Sequence, residues 1–268
     1  MYKKTGNRGY KYLTDRVLNY IKNAPVIIDD LPNHLGTSPE GKFYPESIWV
    51  DSLMMFSVFP AIYATENKDS ELLDFAARQP GVYAKYLQDK DKKLWYHSYW
   101  VKRNSPYPPH LFWGRGNGWV IAALPMILDY LPDDHRRRGE IIQILQRSSA
   151  ALLNYQRKDG YFETILNRPG KTYREASATA LIASGWLHGV RCGYLEEKYK
   201  PAAVKALEAI INNLEYENRR VYMTEISGPT IPLPLFPYLG YRFVPRRKNY
   251  PYGIAALIFA AIEYSKAL

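Results

Sequence analysis

The chain has 268 residues, 47% of them hydrophobic, so it can fill one large domain or two small ones with a sizeable core. Its net charge of +10 suits an anionic partner, but the Lys and Arg are scattered rather than striped, which speaks against nucleic acid. A single cysteine, Cys192, excludes an internal disulfide and fits a reducing, cytoplasmic setting; neither a signal peptide nor a membrane span is visible, so no membrane partner is expected.

Residues 1–9 are basic and glycine-containing and are expected to fray. Residues 10–24 place Leu13, Val17, Tyr20 and Ile21 on one face of an amphipathic helix. A proline-rich loop over 25–47 leads to a run at 48–65 that is apolar nearly all round, which predicts an inner helix. Residues 69–88 read as an amphipathic helix broken near Pro80-Gly81, and a long loop spans 89–114. Further helices are predicted over 115–131 (bent at Pro125), 138–157, 174–191, 198–213 and 252–266, with a proline-rich loop at 214–250.

An internal repeat organises these elements. YLQDKDKKLWYHSY (86–99), NYQRKDGYFETIL (154–166) and NNLEYENRRVYMTEI (212–226) each end a helix, turn through polar residues and continue into a short aromatic stretch. TSPEGKFY (37–44) is a degenerate fourth copy. Inner apolar helices alternating with outer amphipathic ones predict an all-α toroid of helical hairpins, with short strands on one rim and the site there. Eight predicted helices fall short of the twelve of a closed six-hairpin ring, so a single domain over 1–268 is expected to lack its first helices.

Three glycines, one arginine, one asparagine and two indoles make up WGRGNGW (113–119). It reads as a loop feeding the next helix, where glycine lets backbone approach a ligand closely. Arg115 would lie between aromatic walls; its fork suits a carboxylate, and Trp113 and Trp119 suit sugar faces. The alternative is a glycine turn with packed tryptophans. The stretch lacks the lysine and serine of a phosphate loop.

Asp51, in IWVDSLMMF, is a lone carboxylate in apolar sequence that must be paired, protonated or functional. Burial favours the neutral acid, as a proton donor needs; a helix cap is the alternative. His97 could bind a hydroxyl or be a structural histidine. Glu175 and Ser177 read as helix caps. Lys42 and Tyr44 could reach an anion, or Lys42 could simply be solvated. Tyr241 and Arg242 read as a surface stretch. No metal motif is present: His34, His97, His110, His135 and His188 have no ligand spacing and there is no HExxH or CxxC, so no metal and no cofactor are expected, and no nucleophile elbow occurs.

Together IWVDSLMM (48–55), LWYHSYW (94–100), FWGRGNGWVIAAL (112–124), YREASATAL (173–181) and YPYGIAALIFAAIEY (250–264) resemble the unsaturated glycuronyl hydrolases of glycoside hydrolase families 88 and 105, more closely the unsaturated rhamnogalacturonyl hydrolases of family 105. The resemblance runs from about residue 30 to the end. It implies an (α/α)6 barrel without metal. It also implies removal of a 4,5-unsaturated uronic acid from the non-reducing end of lyase-generated oligosaccharides of the rhamnogalacturonan or pectin type. In that chemistry an aspartic acid protonates C4 of the enol ether, water adds at C5 and the hemiketal collapses, unlike two-carboxylate glycoside hydrolysis. Asp51 matches the acid/base. Trp49, His97, Trp113, Arg115 and Trp119 match positions that bind or stack on the sugar, and Met55 matches an apolar wall. Of the family's His-Lys pair only Lys42 has a counterpart.

Two other function classes are compatible with such a fold. A catalytically inactive carbohydrate-binding scaffold would keep the aromatic pocket without turnover. An epimerase would need paired histidines on facing helices, and none is evident. The sequence carries no signature of oligomeric state or aglycone.

Overall fold

A computed structural model describes residues 2–36 and 38–267; Thr37, in the degenerate repeat copy, lies outside them. The chain divides into two compact units, residues 1–48 with 100–104, and residues 49–99 with 105–268.

The first unit carries helices α1 (Tyr2–Thr5) and α2 (Arg8–Asn23), an antiparallel pair of short strands at Val26–Ile28 and Leu31–Pro32, and a 3-10 turn at Pro39–Lys42. Of the stretch 1–9 expected to fray, Met1 lies outside the described residues, and Tyr2–Thr5 and the start of α2 are helical. Asn7 caps α2, its side chain accepting the Gly9 N–H at 2.8 Å. The predicted apolar face of α2 is open to solvent at Leu13 and Val17, and Leu18 is the residue it buries. Tyr44 meets Trp100 edge to face, with ring centroids 5.9 Å apart.

The second unit holds α3 (Ser52–Asn67), α4 (Ser70–Leu87), α5 (Gly114–Leu128), α6 (Arg138–Leu153), α7 (Ala176–Arg191), α8 (Tyr199–Ile211), α9 (Pro237–Arg242) and α10 (Pro251–Lys266). Neighbouring inner helices α3, α5, α7 and α10 pack side by side in that order, and α4, α6 and α8 back α3, α5 and α7. This is the hairpin order of an (α/α) toroid, and α7, buried along nearly its whole length, is central to it. The apolar residues that gave inner helices no clear polar side are thus buried all round.

The predicted run at 48–65 divides in two. Ser47–Trp49 is extended, Val50 N–H bonds the His97 carbonyl at 2.9 Å, and the helix begins only at Ser52. Conversely, α4 runs unbroken through Pro80-Gly81, because Pro80 removes one ladder bond while the surrounding turns stay packed. Each repeat copy at 86–99, 154–166 and 212–226 turns back on itself: Gln88 bridges Trp95, Arg157 N–H bonds the Tyr161 carbonyl, and Glu215–Glu217 pairs with Arg220–Tyr222. Within this unit, extended segments at 98–99, 163–165 and 226–227 come before α5, α7 and α10, so its short strands lie on the N-terminal side of inner helices, the rim on which a site is expected.

Candidate active site

The glycines of WGRGNGW are helical. α5 starts at Gly114, whose N–H bonds the Thr164 carbonyl at 2.9 Å. The expected ligand loop is therefore the first turn of an inner helix, and its glycines serve protein contacts. A Cβ on Gly114 would stand 2.3 Å from the Glu163 carbonyl oxygen. One on Gly116 would stand 2.6 Å from Val50 Cγ1 and 2.7 Å from Trp113 Cε3, and one on Gly118 would stand 3.0 Å from Leu181 Cβ. Hydrogen there lets α5 seat directly on α7 and on the stretch that leads into Asp51. Asn117 locks the turn from inside: its Oδ1 accepts the Trp95 N–H at 2.8 Å and its Nδ2 donates to the Trp95 carbonyl at 2.9 Å.

Asp51 occupies the N-cap of α3, yet its side chain makes no capping bond. Its Oδ1 is buried and meets no hydrogen-bond partner among the described residues. The structural alternative, a carboxylate spent on a helix end, does not hold for this group. A half-buried carboxylate of this kind is available to an incoming group.

His97 is fully buried and stands between two indoles. It stacks on Trp113 with centroids 4.0 Å apart and planes 20° apart, and meets Trp49 edge to face at 5.0 Å. Its Nδ1 lies 2.7 Å from the Tyr241 hydroxyl, which fixes the plane of the ring. Tyr241 was expected in a surface stretch; it is fully buried, on α9.

Arg115 is 4% exposed and lies between aromatic rings, as anticipated, but the walls are Trp113 at 4.9 Å and Tyr252 at 4.7 Å rather than Trp113 and Trp119. Nη1 donates to the carbonyl and hydroxyl of Ser227 at 2.9 and 2.6 Å, and Nη2 donates to the Gly228 carbonyl and the Thr230 hydroxyl at 2.9 and 3.1 Å. The fork expected to grip a carboxylate thus grips the segment 227–230. Glu175 completes the arrangement. It caps α7 through the N–H groups of Ser177 and Ala178, accepts the Ser227 N–H at 3.0 Å and stands 3.8 Å from Arg115 Nη1. The Tyr252 hydroxyl also donates to the Ser227 carbonyl. Burial pushes the Tyr252 phenol up to about 12 against the opposing Arg115 charge, and burial raises Tyr173 as well.

The remaining predicted positions are dispersed. Trp119, half-buried, packs against the core cluster that holds Ala122, Ala180, Leu181 and Ala256. Met55 is exposed on α3, and Lys42 is exposed at the end of its turn in the first unit. Sequence reasoning missed Tyr252, Ser227 and Thr230. Tyr252 carried a signal, a tyrosine in YPYG at the start of an inner helix; the other two lie in an unremarkable loop.

The model of glycosyl hydrolase family 88 matches residues 1–268. The chain belongs to that family. Among curated relatives of this family 88 chain is the unsaturated rhamnogalacturonyl hydrolase YesR of Bacillus subtilis, 28% identical over 99% of this chain and 74% of that one. Another is an unsaturated 3S-rhamnoglycuronyl hydrolase of Alteromonas sp., 28% identical over 84% of this chain and 54% of that one. The chain therefore spans about half the length of the second relative. A family 105 glycoside hydrolase of C. acetobutylicum ATCC 824 has a similar structure, with TM-score 0.88 and 27% identity, covering 99% of this chain and 76% of that chain. The family 88 chain thus shares the (α/α)6 toroid of these hydrolases, as the hairpin repeat predicts. Among the described residues no helix is long and apolar enough to cross a membrane.

Proposed function

We propose that this chain removes a 4,5-unsaturated uronic acid from the non-reducing end of oligosaccharides left by a polysaccharide lyase, of the rhamnogalacturonan or pectin type. The observation that carries this reading is the Asp51 carboxylate, buried at Oδ1, free of capping duty and next in sequence to Val50, whose N–H bonds the carbonyl of His97 in the Trp49–His97–Trp113 ring cluster. The activities named for the two curated relatives point the same way.

In the proposed reaction Asp51 gives its proton to C4 of the enol ether. The resulting carboxylate takes a proton from the water that adds to C5. The C5 hemiketal gives up its hydroxyl proton as the C5–O5 ring bond breaks to a C5 ketone, and O5 takes a proton to make C1 a hemiacetal. That hemiacetal collapses to the aldehyde, breaking the C1–O bond, and the aglycone oxygen takes the released proton and leaves as a hydroxyl. Trp49, His97 and Trp113 form the buried aromatic backing of the site and set its shape. Arg115 acts by positioning: with its four terminal N–H bonds committed to 227–230, it holds that segment in place rather than gripping the uronate. The free thiol of Cys192 fits a reducing compartment, and a cytoplasmic location belongs to this reading.

The experiment is incubation with lyase-digested pectin while following the ultraviolet absorbance of the conjugated double bond. Hydration destroys that bond, so absorbance falls as a free uronate-derived product appears. A folded protein that binds the digest and leaves the absorbance constant would establish a binding scaffold instead.

A further inference from the structure

At the other end of the inner helices, far from Asp51, three different donor groups converge. Asp129 is the C-cap of α5, His188 lies in the last turn of α7, and Cys192 is the C-cap of α7. One carboxylate oxygen, one imidazole nitrogen and the thiol sulfur all lie within 4.8 Å of one another. His188 Nε2 stands 3.0 Å from Asp129 Oδ1. We propose that Asp129, His188 and Cys192 bind one zinc ion, with water as the fourth ligand.

The geometry is close to what zinc needs. Donors at ~2.0–2.3 Å from a tetrahedral ion stand ~3.3–3.6 Å apart, so the trio needs to close by about an ångström at its widest side. His188 and Cys192 are four residues apart, which puts both donors on one face of α7. The third ligand comes from the end of a different helix, 59 residues earlier, which is why the sequence, expected to hold no metal, shows no local motif for it. The mixed nitrogen, oxygen and sulfur set favours a borderline ion such as Zn2+ over hard cations such as Mg2+ or Ca2+.

The surroundings suit a cation. Arg191, the nearest positive group on the same helix, is already neutralised by Glu263, with Nε and Nη2 at 2.8 and 2.7 Å from Oε2. Lys266 also bonds Glu263, at 2.8 Å. Asp129 is 39% exposed while His188 is 4% exposed, so the ion can enter from solvent and be held by a rigid inner residue. α5 has 15 residues, which at ~1.5 Å per residue puts the trio ~22 Å from the Arg115 turn, too far to touch the sugar. Such an ion ties the C-terminal ends of α5 and α7 together.

The test is calorimetric titration of metal-stripped, folded protein with zinc chloride, repeated for Cys192→Ser and Asp129→Asn, with cobalt chloride as a spectroscopic probe. The expected result is one zinc per chain, a Kd weakened at least ~10-fold in each variant, and a thiolate-to-cobalt charge-transfer band present in the wild type and lost in Cys192→Ser. Asp129→Asn changes an exposed side chain and keeps its shape, so it remains informative if Cys192→Ser misfolds. Absence of zinc uptake by folded wild type would overturn the assignment. So would wild-type affinity in both variants, or binding abolished instead by His135→Ala, which removes the surface pair of His135 with Asp74.

Discussion

Arg115 and Ser227, 112 residues apart, meet twice: one guanidinium nitrogen donates to the Ser227 carbonyl at 2.9 Å and to its hydroxyl at 2.6 Å. A buried cation satisfied by four acceptors from one short segment holds that segment in a single place. Lysine keeps the charge but cannot present the planar fork. Arg115→Lys is expected to lower stability by about 2–3 kcal/mol, because charge-assisted bonds are lost in a site closed to water. It should also lower kcat/KM for unsaturated uronides. Urea unfolding and steady-state kinetics read both; wild-type values for each would mean that the segment is held by other contacts.

The glycines of the first α5 turn are expected to behave as steric requirements. Gly116→Ala drives a methyl group into Val50 and Trp113 and should cost ~1–3 kcal/mol. Gly185→Ala should cost at least as much, since its Cβ would sit 2.1 Å from the Ile121 carbonyl oxygen, and backbone cannot step aside. Gly139→Ala, which meets nothing within 4 Å near the start of α6, should leave stability unchanged or raise it by ~0.5–1 kcal/mol. Thermal unfolding of the three variants gives the ranking, and equal midpoints would refute the close-approach account.

Alkaline pH should unfold the second unit through its tyrosines. Burial raises Tyr161 and Tyr252 to about 12. A phenol whose folded pKa exceeds its unfolded one stabilises the fold fully below the unfolded value, near ~10. That contribution is lost as pH rises from there through the folded value. Stability should therefore fall between about pH 10 and 12, and Tyr252→Phe should show a shallower fall. Denaturant midpoints across that range supply the check; identical slopes in the two proteins would remove Tyr252 from the explanation.

Helix existence was legible where periodicity and burial agree. The runs at 138–157, 174–191 and 252–266 correspond to α6, α7 and α10 within a few residues. The glycine-rich turn was not, because glycine's poor helix propensity is local, whereas Glu163, Val50 and Leu181, the groups that require it, come from distant parts of the chain. The same holds for Arg115. Its residue type announced an anion, but its partners at 227–230 have no sequence signature and assert themselves only through tertiary contact. Asp51 was legible as an isolated carboxylate in apolar sequence; that its side chain is spared from capping α3 is a matter of geometry alone. His97 and Trp113 were each visible, whereas their stacking and the Tyr241 hydroxyl behind the imidazole were not.

The most direct measurement is turnover of an unsaturated disaccharide by wild type and Asp51→Asn, alongside calorimetric binding of the same ligand. Asparagine keeps the shape and polarity of the group but cannot cycle a proton. The expected result is a loss of at least ~100-fold in kcat, the lower end for a general acid/base, with Kd nearly unchanged because Trp49, His97 and Trp113 remain. Normal turnover by a folded Asp51→Asn protein would contradict the assignment of Asp51 as the proton donor.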